Sequence, residues 1–147
     1  MKIYVDADGC PVVDIAIKLA KEYKLEIIVV KNYAHIINDD YATIITVDIS
    51  RDSADYYIVN KVKRGDIVIS QDYGFAAMAM SKEAICITQN GLIISNDNID
   101  GMLNSRHINQ KMRREKKIYS KIKKRNPLAN VQFEKSLRTL IEKSLNL

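Results

Sequence analysis

Aspartates recur in this sequence at positions where a carboxylate can meet a metal ion. Asp6 and Asp8 close the run KIYVD-AD, Asp52 and Asp55 lie in DISRDSAD, and Asp72 follows VISQ. Each of the three segments is an apolar, β-branched run that stops on an acid, the pattern of a buried strand delivering a side chain at its carboxyl end. Taken singly, each acid has a structural reading, because Asp is a good N-cap and suits a helix N-terminus. Ser53 or Asp52 is enough to cap the helix that follows them. Taken together, the capping reading is strained, since clustered carboxylates repel unless a cation neutralises them. Asp6, Asp8, Asp55 and Asp72 are therefore expected to gather at one edge of a parallel sheet around a hard divalent cation. Mg²⁺ or Mn²⁺ suits an all-oxygen site, polarises a phosphoryl oxygen and activates a water, which is the chemistry of phosphodiester hydrolysis.

Other ligand sets are poorly represented. His35 and His107 are the only histidines, and Cys10 and Cys86 show no paired spacing, so zinc is not expected. Cys10 invites a nucleophile reading, but neighbouring carboxylates suppress its thiolate, and packing is the preferred role. Cys86, inside AICIT, reads as core.

The elements that must position these acids follow from periodicity. Strands are expected over 2–6, 25–31, 43–49, 67–70 and 84–88, the second and third as runs covered on both faces. Helical spacing marks 11–23 after Pro11, then Ala54–Ile58–Val59–Val62 closed by Gly65, and Phe75–Met80. The linker NYAHIINDDYA leaves room for a short extra element, and Gln89-Asn90-Gly91 before LIIS predicts a hairpin turn. A polar helix is expected within 97–124, broken by Pro127, and Phe133, Leu137, Leu140, Ile141 and Leu145 give a last amphipathic helix. Alternating strands and helices imply an α/β fold with a mainly parallel central sheet in three layers. Sites in such sheets lie beyond the carboxyl ends of the strands.

The 147 residues suit a single domain, read as an α/β core over 1–95 and a basic helical C-terminal extension over 96–147. Of 23 basic and 18 acidic residues, most acids fall before residue 100, whereas Arg106–Arg125 contains one acid, Glu115. That block is either a solvated helix face or a phosphate-backbone contact, in which Arg106, Lys111, Arg113, Arg114, Lys116 and Lys117 would hold nucleic acid. Tyr73 and Tyr119 are candidates for base stacking. The start, MKIYVDADGC, does not read as a signal peptide, and no apolar run approaches the roughly 18–20 residues of a membrane span. A cytoplasmic protein with free thiols and no membrane association is expected.

Asp6-Ala7-Asp8-Gly9-Cys10-Pro11-Val12 resembles the DADACP signature that opens the YaiI/YqxD-like family of bacterial proteins. Two further blocks agree in order and spacing: Asp52-Ser53-Ala54-Asp55 with Ile58-Val59, and Val68-Ile69-Ser70-Gln71-Asp72. The resemblance spans residues 2–140 and implies a PIN-like, Rossmann-type nuclease fold related to NYN domains. It further implies that Asp6 is the central metal ligand and Asp55 and Asp72 are further ligands, with Asp8, Asp52 and Ser70 in support. The implied activity is cleavage of RNA with Mg²⁺ or Mn²⁺. The chain departs from the family at Gly9 (usually Ala) and Gly74 (usually Pro), and its basic stretch 111–125 replaces a GGP segment.

Two other functions fit parts of the pattern. A nucleic-acid-binding or regulatory protein would use the acids structurally and the basic block for contact. The DxDG opening also resembles that of haloacid-dehalogenase-type phosphatases, but YGFAAMAM after Asp72 lacks the second acid that this chemistry needs.

Overall fold

In the computed structural model, which describes residues 1–34, 36–49, 53–101 and 124–147, the apolar runs form the strands of one six-stranded sheet. Its strands are β1 (Lys2–Asp6), β2 (Glu26–Asn32), β3 (Thr43–Val47), β4 (Ile67–Ile69), β5 (Ile85–Ile87) and β6 (Ile93–Ile94). They lie in the order β3-β2-β1-β4-β5-β6, parallel except for β6, which pairs antiparallel with β5. Between them come α1 (Val13–Glu22), α2 (Ser53–Lys61) and α3 (Tyr73–Ser81), followed by helical backbone over 96–101 (α4) and by α5 (Pro127–Ser144).

Successive strand residues face opposite sides, so the central runs are apolar throughout because both sides are covered. Ile3, Val5, Ile27, Val29, Ile67 and Ile69 pack on one face with α1 and α5. Tyr4, Ile28, Val30, Val68 and Cys86 pack on the other with α2 and α3. The helix read as an extension of the core is thus one of its layers: Phe133, Leu137, Leu140 and Ile141 are buried against α1. Each such side chain contributes roughly 1.5–3 kcal/mol by leaving water. The ion pairs along the α1–α5 seam, Lys18–Glu134 and Arg138–Glu22, are solvent-accessible and add little.

Several local expectations change. β3 ends at Val47 and none of its residues is fully buried, because it is the edge strand and lacks a neighbour on one side. No helix fills the β2–β3 crossover among its described residues; Asp39 Oδ1 instead accepts the N–H groups of Tyr41 and Ala42, both at 2.8 Å. α1 starts at Val13, two residues after Pro11, because the Cys10 N–H closes a turn onto the Ala7 carbonyl. Pro127 opens α5, with Asn126 Oδ1 accepting the Leu128 N–H at 3.0 Å as its cap.

The hairpin turn after Gln89 is present, and Gly91 is required there twice over. Its φ is +86°, and a Cβ would stand 2.9 Å from the Gln132 carbonyl oxygen of α5. At the opposite end of the sheet the buried Asp66 accepts the N–H groups of Lys2 and Lys63, a structural use of an acid remote from the strand carboxyl ends.

Candidate active site

The strand order reverses between β1 and β4. β1 leads through α1 to β2 on one side, and β4 leads through α3 to β5 on the other. Because α1 covers one face and α3 the opposite one, the chains leaving β1 and β4 diverge and open a crevice beyond their carboxyl ends. That crevice, of about 270 Å³, is lined by Asp6, Asp8, Cys10, Ser70, Asp72 and Gln89, among others. Sequence separation has been removed by topology: Val5 and Ile69 are direct neighbours in the parallel ladder.

Ser70 joins the two acidic segments. Its hydroxyl donates to Asp6 Oδ2 at 3.3 Å and accepts the Asp72 N–H at 3.1 Å. Asp72 is also the N-cap of α3, with Oδ1 accepting the Phe75 N–H at 3.1 Å. The capping and site readings of this residue therefore coexist in one side chain. Burial pushes the Asp6 carboxyl up to about 6, opposed by the Ser70 hydrogen bond and reinforced by the charges of Asp8 and Asp72. Asp8 is exposed at the mouth, where Oδ1 accepts the Asn32 N–H at 3.3 Å from the end of β2.

Asp55 stands apart from this group. In the first turn of α2, it lines an adjoining hollow of about 330 Å³ with Tyr56, Phe75 and Met78, and Asp72 borders both spaces. Among the described residues, no group of three or more His, Cys, Asp or Glu side chains is spaced to hold an ion. Asp6 and Asp72 could supply a Mg²⁺-type ion with the one or two carboxylates it takes when waters or phosphate oxygens complete its shell. Asp52, His35, His107 and Tyr119 lie outside the described residues, as do Arg106, Lys111, Arg113, Arg114, Lys116 and Lys117 of the basic block.

Two lining or bordering groups, Gln89 and Arg125, were not singled out as site residues from the sequence. Gln89 follows β5 as Asp72 follows β4, so the strand-end rule that selects the acids also points to it. Its N–H donates to Gln71 Oε1 at 2.9 Å, while its own Oε1 is buried with no hydrogen-bond partner among the described residues. Arg125, just before α5, reaches the same wall by donating to the Gln89 carbonyl at 2.6 Å. No local signal marks that contact, which spans 36 residues. Cys10 lines the crevice, but burial pushes its thiol up and Asp6 adds to the effect, so it is not an activated nucleophile. Cys86 is buried, its thiol pushed up to about 12 by desolvation, in keeping with a core role.

Among the described residues no helix is long and apolar enough to cross a membrane. A solved crystal structure of a mutant of Rae1 (YacP) from Bacillus subtilis is similar at 15% identity and a TM-score of 0.45, covering 98% of this chain and 99% of that one. The "UPF0178 protein" of Alkaliphilus oremlandii is 50% identical over 145 residues, covering 99% of this chain and 94% of the relative. That of Natranaerobius thermophilus is 46% identical over 141 residues, with 96% of each chain covered. Residues 4–143 match the family described as "Uncharacterized BCR, YaiI/YqxD family", and the chain belongs to that family.

Proposed function

We propose that this chain is a PIN-like nuclease that uses Mg²⁺ or Mn²⁺ to hydrolyse phosphodiester bonds in RNA. The observation that supports the reading best is the convergence of Asp6, Asp8 and Asp72, from two strand ends, on one crevice where the strand order reverses. Asp6 and Asp72 would hold the ion, with Asp55 flanking from the adjoining hollow. When bound, the ion supplies positive charge to a phosphoryl oxygen and makes a water more acidic. The chain's own contribution is orientation. Ser70 sets the Asp6 carboxylate against β4, and the cap bond to Phe75 fixes Asp72. Asp8, exposed at the mouth, accepts the Asn32 N–H and so ties the end of β2 to the crevice. RNA as the substrate follows from the resemblance of the Asp6–Val12 and Val68–Asp72 segments.

Calorimetry with Mn²⁺ on wild type and Asp6→Asn, followed by cleavage assays on mixed RNA and DNA, tests this reading. Wild type is expected to bind and cleave, and the variant to lose both. A wild type that neither binds Mn²⁺ or Mg²⁺ nor cleaves either polymer overturns it.

A second reading, a nucleic-acid-binding protein without catalysis, is favoured by the lack of a three-ligand group among the described residues and by the capping role of Asp72. It expects Asp6→Asn to keep or gain RNA affinity as repulsion of phosphates falls.

A further inference from the structure

Arg125 carries a half-buried guanidinium in the turn that precedes α5. Nε donates to Asn130 Oδ1 at 2.8 Å, one Nη to Asn90 Oδ1 at 2.9 Å, and the other to the Gln89 carbonyl at 2.6 Å. All three acceptors are neutral, and among the described residues no carboxylate pairs with this side chain. A half-exposed guanidinium with no carboxylate partner among the described residues keeps its charge available to an anion.

The geometry supplies the donors for one. A guanidinium has five N–H groups in a fixed fork, and among the described residues these three bonds use one N–H of each Nη. The fork is held by the turn that carries Gln89, a wall residue of the crevice that also holds Asp6 and Asp72. An acidic crevice repels phosphate, and a planar cation bonded to the turn that borders it is a group that offsets this.

We propose that Arg125 is a phosphate-binding residue at the border of this crevice, its remaining Nη N–H groups engaging non-bridging oxygens of a phosphodiester while the turn at Gln89–Asn90 holds the fork in place. The assignment rests on the phosphodiester reading above and adds a cationic residue to an otherwise acidic site.

The test is fluorescence anisotropy of a short fluorescein-labelled RNA, in chelator so that no turnover competes, across a range of salt concentrations. R125Q is expected to weaken binding about tenfold and to reduce the salt slope by about one. R125K, which keeps the charge without the fork, should weaken binding while leaving the slope near the wild-type value. K124Q removes the exposed neighbouring charge, and the double variant N90A/N130A removes two tethers but keeps the guanidinium. K124Q is expected to stay within about twofold of wild type, and N90A/N130A, which loosens the fork but keeps its charge, to weaken binding less than R125Q with the slope unchanged. K124Q equal to R125Q would mean a diffuse basic surface, and N90A/N130A equal to R125Q in both affinity and slope would mean a tether alone; either overturns the assignment. Cleavage assays separate it from the nuclease reading. A wild type that cleaves while R125Q binds normally removes Arg125 and keeps the enzyme. A wild type that never cleaves, with the R125Q slope reduced, removes the enzyme and keeps Arg125.

Discussion

The Ser70 hydroxyl donates to Asp6 Oδ2 at 3.3 Å across the boundary between β4 and β1, linking residues 64 positions apart. The same oxygen accepts the Asp72 N–H, so one buried hydroxyl sets the spacing of the two carboxylates best placed to share an ion. Removing it in Ser70→Ala takes this acceptor from the half-buried Asp72 N–H, at an expected cost of about 1 kcal/mol in a urea titration. It also removes the bond that holds the Asp6 carboxyl down, so an NMR titration should place that carboxyl above its wild-type position. An unchanged Asp6 titration would show that the bond does not orient the acid.

Asp6 makes stability depend on pH in a definite direction. Its folded value of about 6 exceeds its ordinary value of 3.8, so the folded state binds the proton more tightly than the unfolded chain. The fold therefore loses stability as pH rises from 3.8 to about 6; the loss is complete above and absent below. Asp6→Asn should be more stable than wild type by about 1–3 kcal/mol near neutral pH, and no more stable at about pH 4. Urea midpoints at the two pH values measure this. Saturating Mn²⁺ should narrow the gap near neutral pH, because an ion that binds only the folded state stabilises it.

Asp72 allows capping to be separated from ion binding. Asn caps a helix as well as Asp does, so Asp72→Asn should keep wild-type stability within about 0.5 kcal/mol, whereas Asp72→Ala should lose about 1 kcal/mol. Under the nuclease reading both variants lose Mn²⁺ binding in calorimetry. Full Mn²⁺ affinity in Asp72→Asn would leave this residue as a cap and nothing more.

Leu137 tests the place of α5 in the domain. Its side chain is fully buried in the cluster shared by α1 and the β1–β2–β4 face, so Leu137→Ala should cost about 2–5 kcal/mol through lost transfer energy and a residual cavity. A loss below about 1 kcal/mol in denaturant unfolding would mean that α5 contributes little to the cooperative unit.

Much of this protein is written in local pattern. The β-branched runs at Ile3–Val5, Ile27–Val30 and Ile67–Ile69, and the helical spacing of Val13, Ala16, Ile17 and Ala20, identify their elements because strand and helix periods differ. Asp6 and Asp72 could be selected because a strand end and a following helix start are both visible nearby. The edge position of β3 was not legible: Thr43–Val47 has the same β-branched texture as a covered strand, and cover depends on neighbours.

The sequence by itself determined which elements form, which residues point inward, and which acids stand at strand ends. All of these are properties of short segments, dictated by side-chain alternation and the chemistry of turns. Only the tertiary structure decided that β1 lies beside β4, so that Asp6 and Ser70 meet, and that Asp55 falls into the next hollow. It also brought Arg125 and Gln89 to the crevice and laid α5 against α1. Strand order is set by how the apolar faces of the helices cover the sheet, a balance summed over the whole core, and no single segment records it.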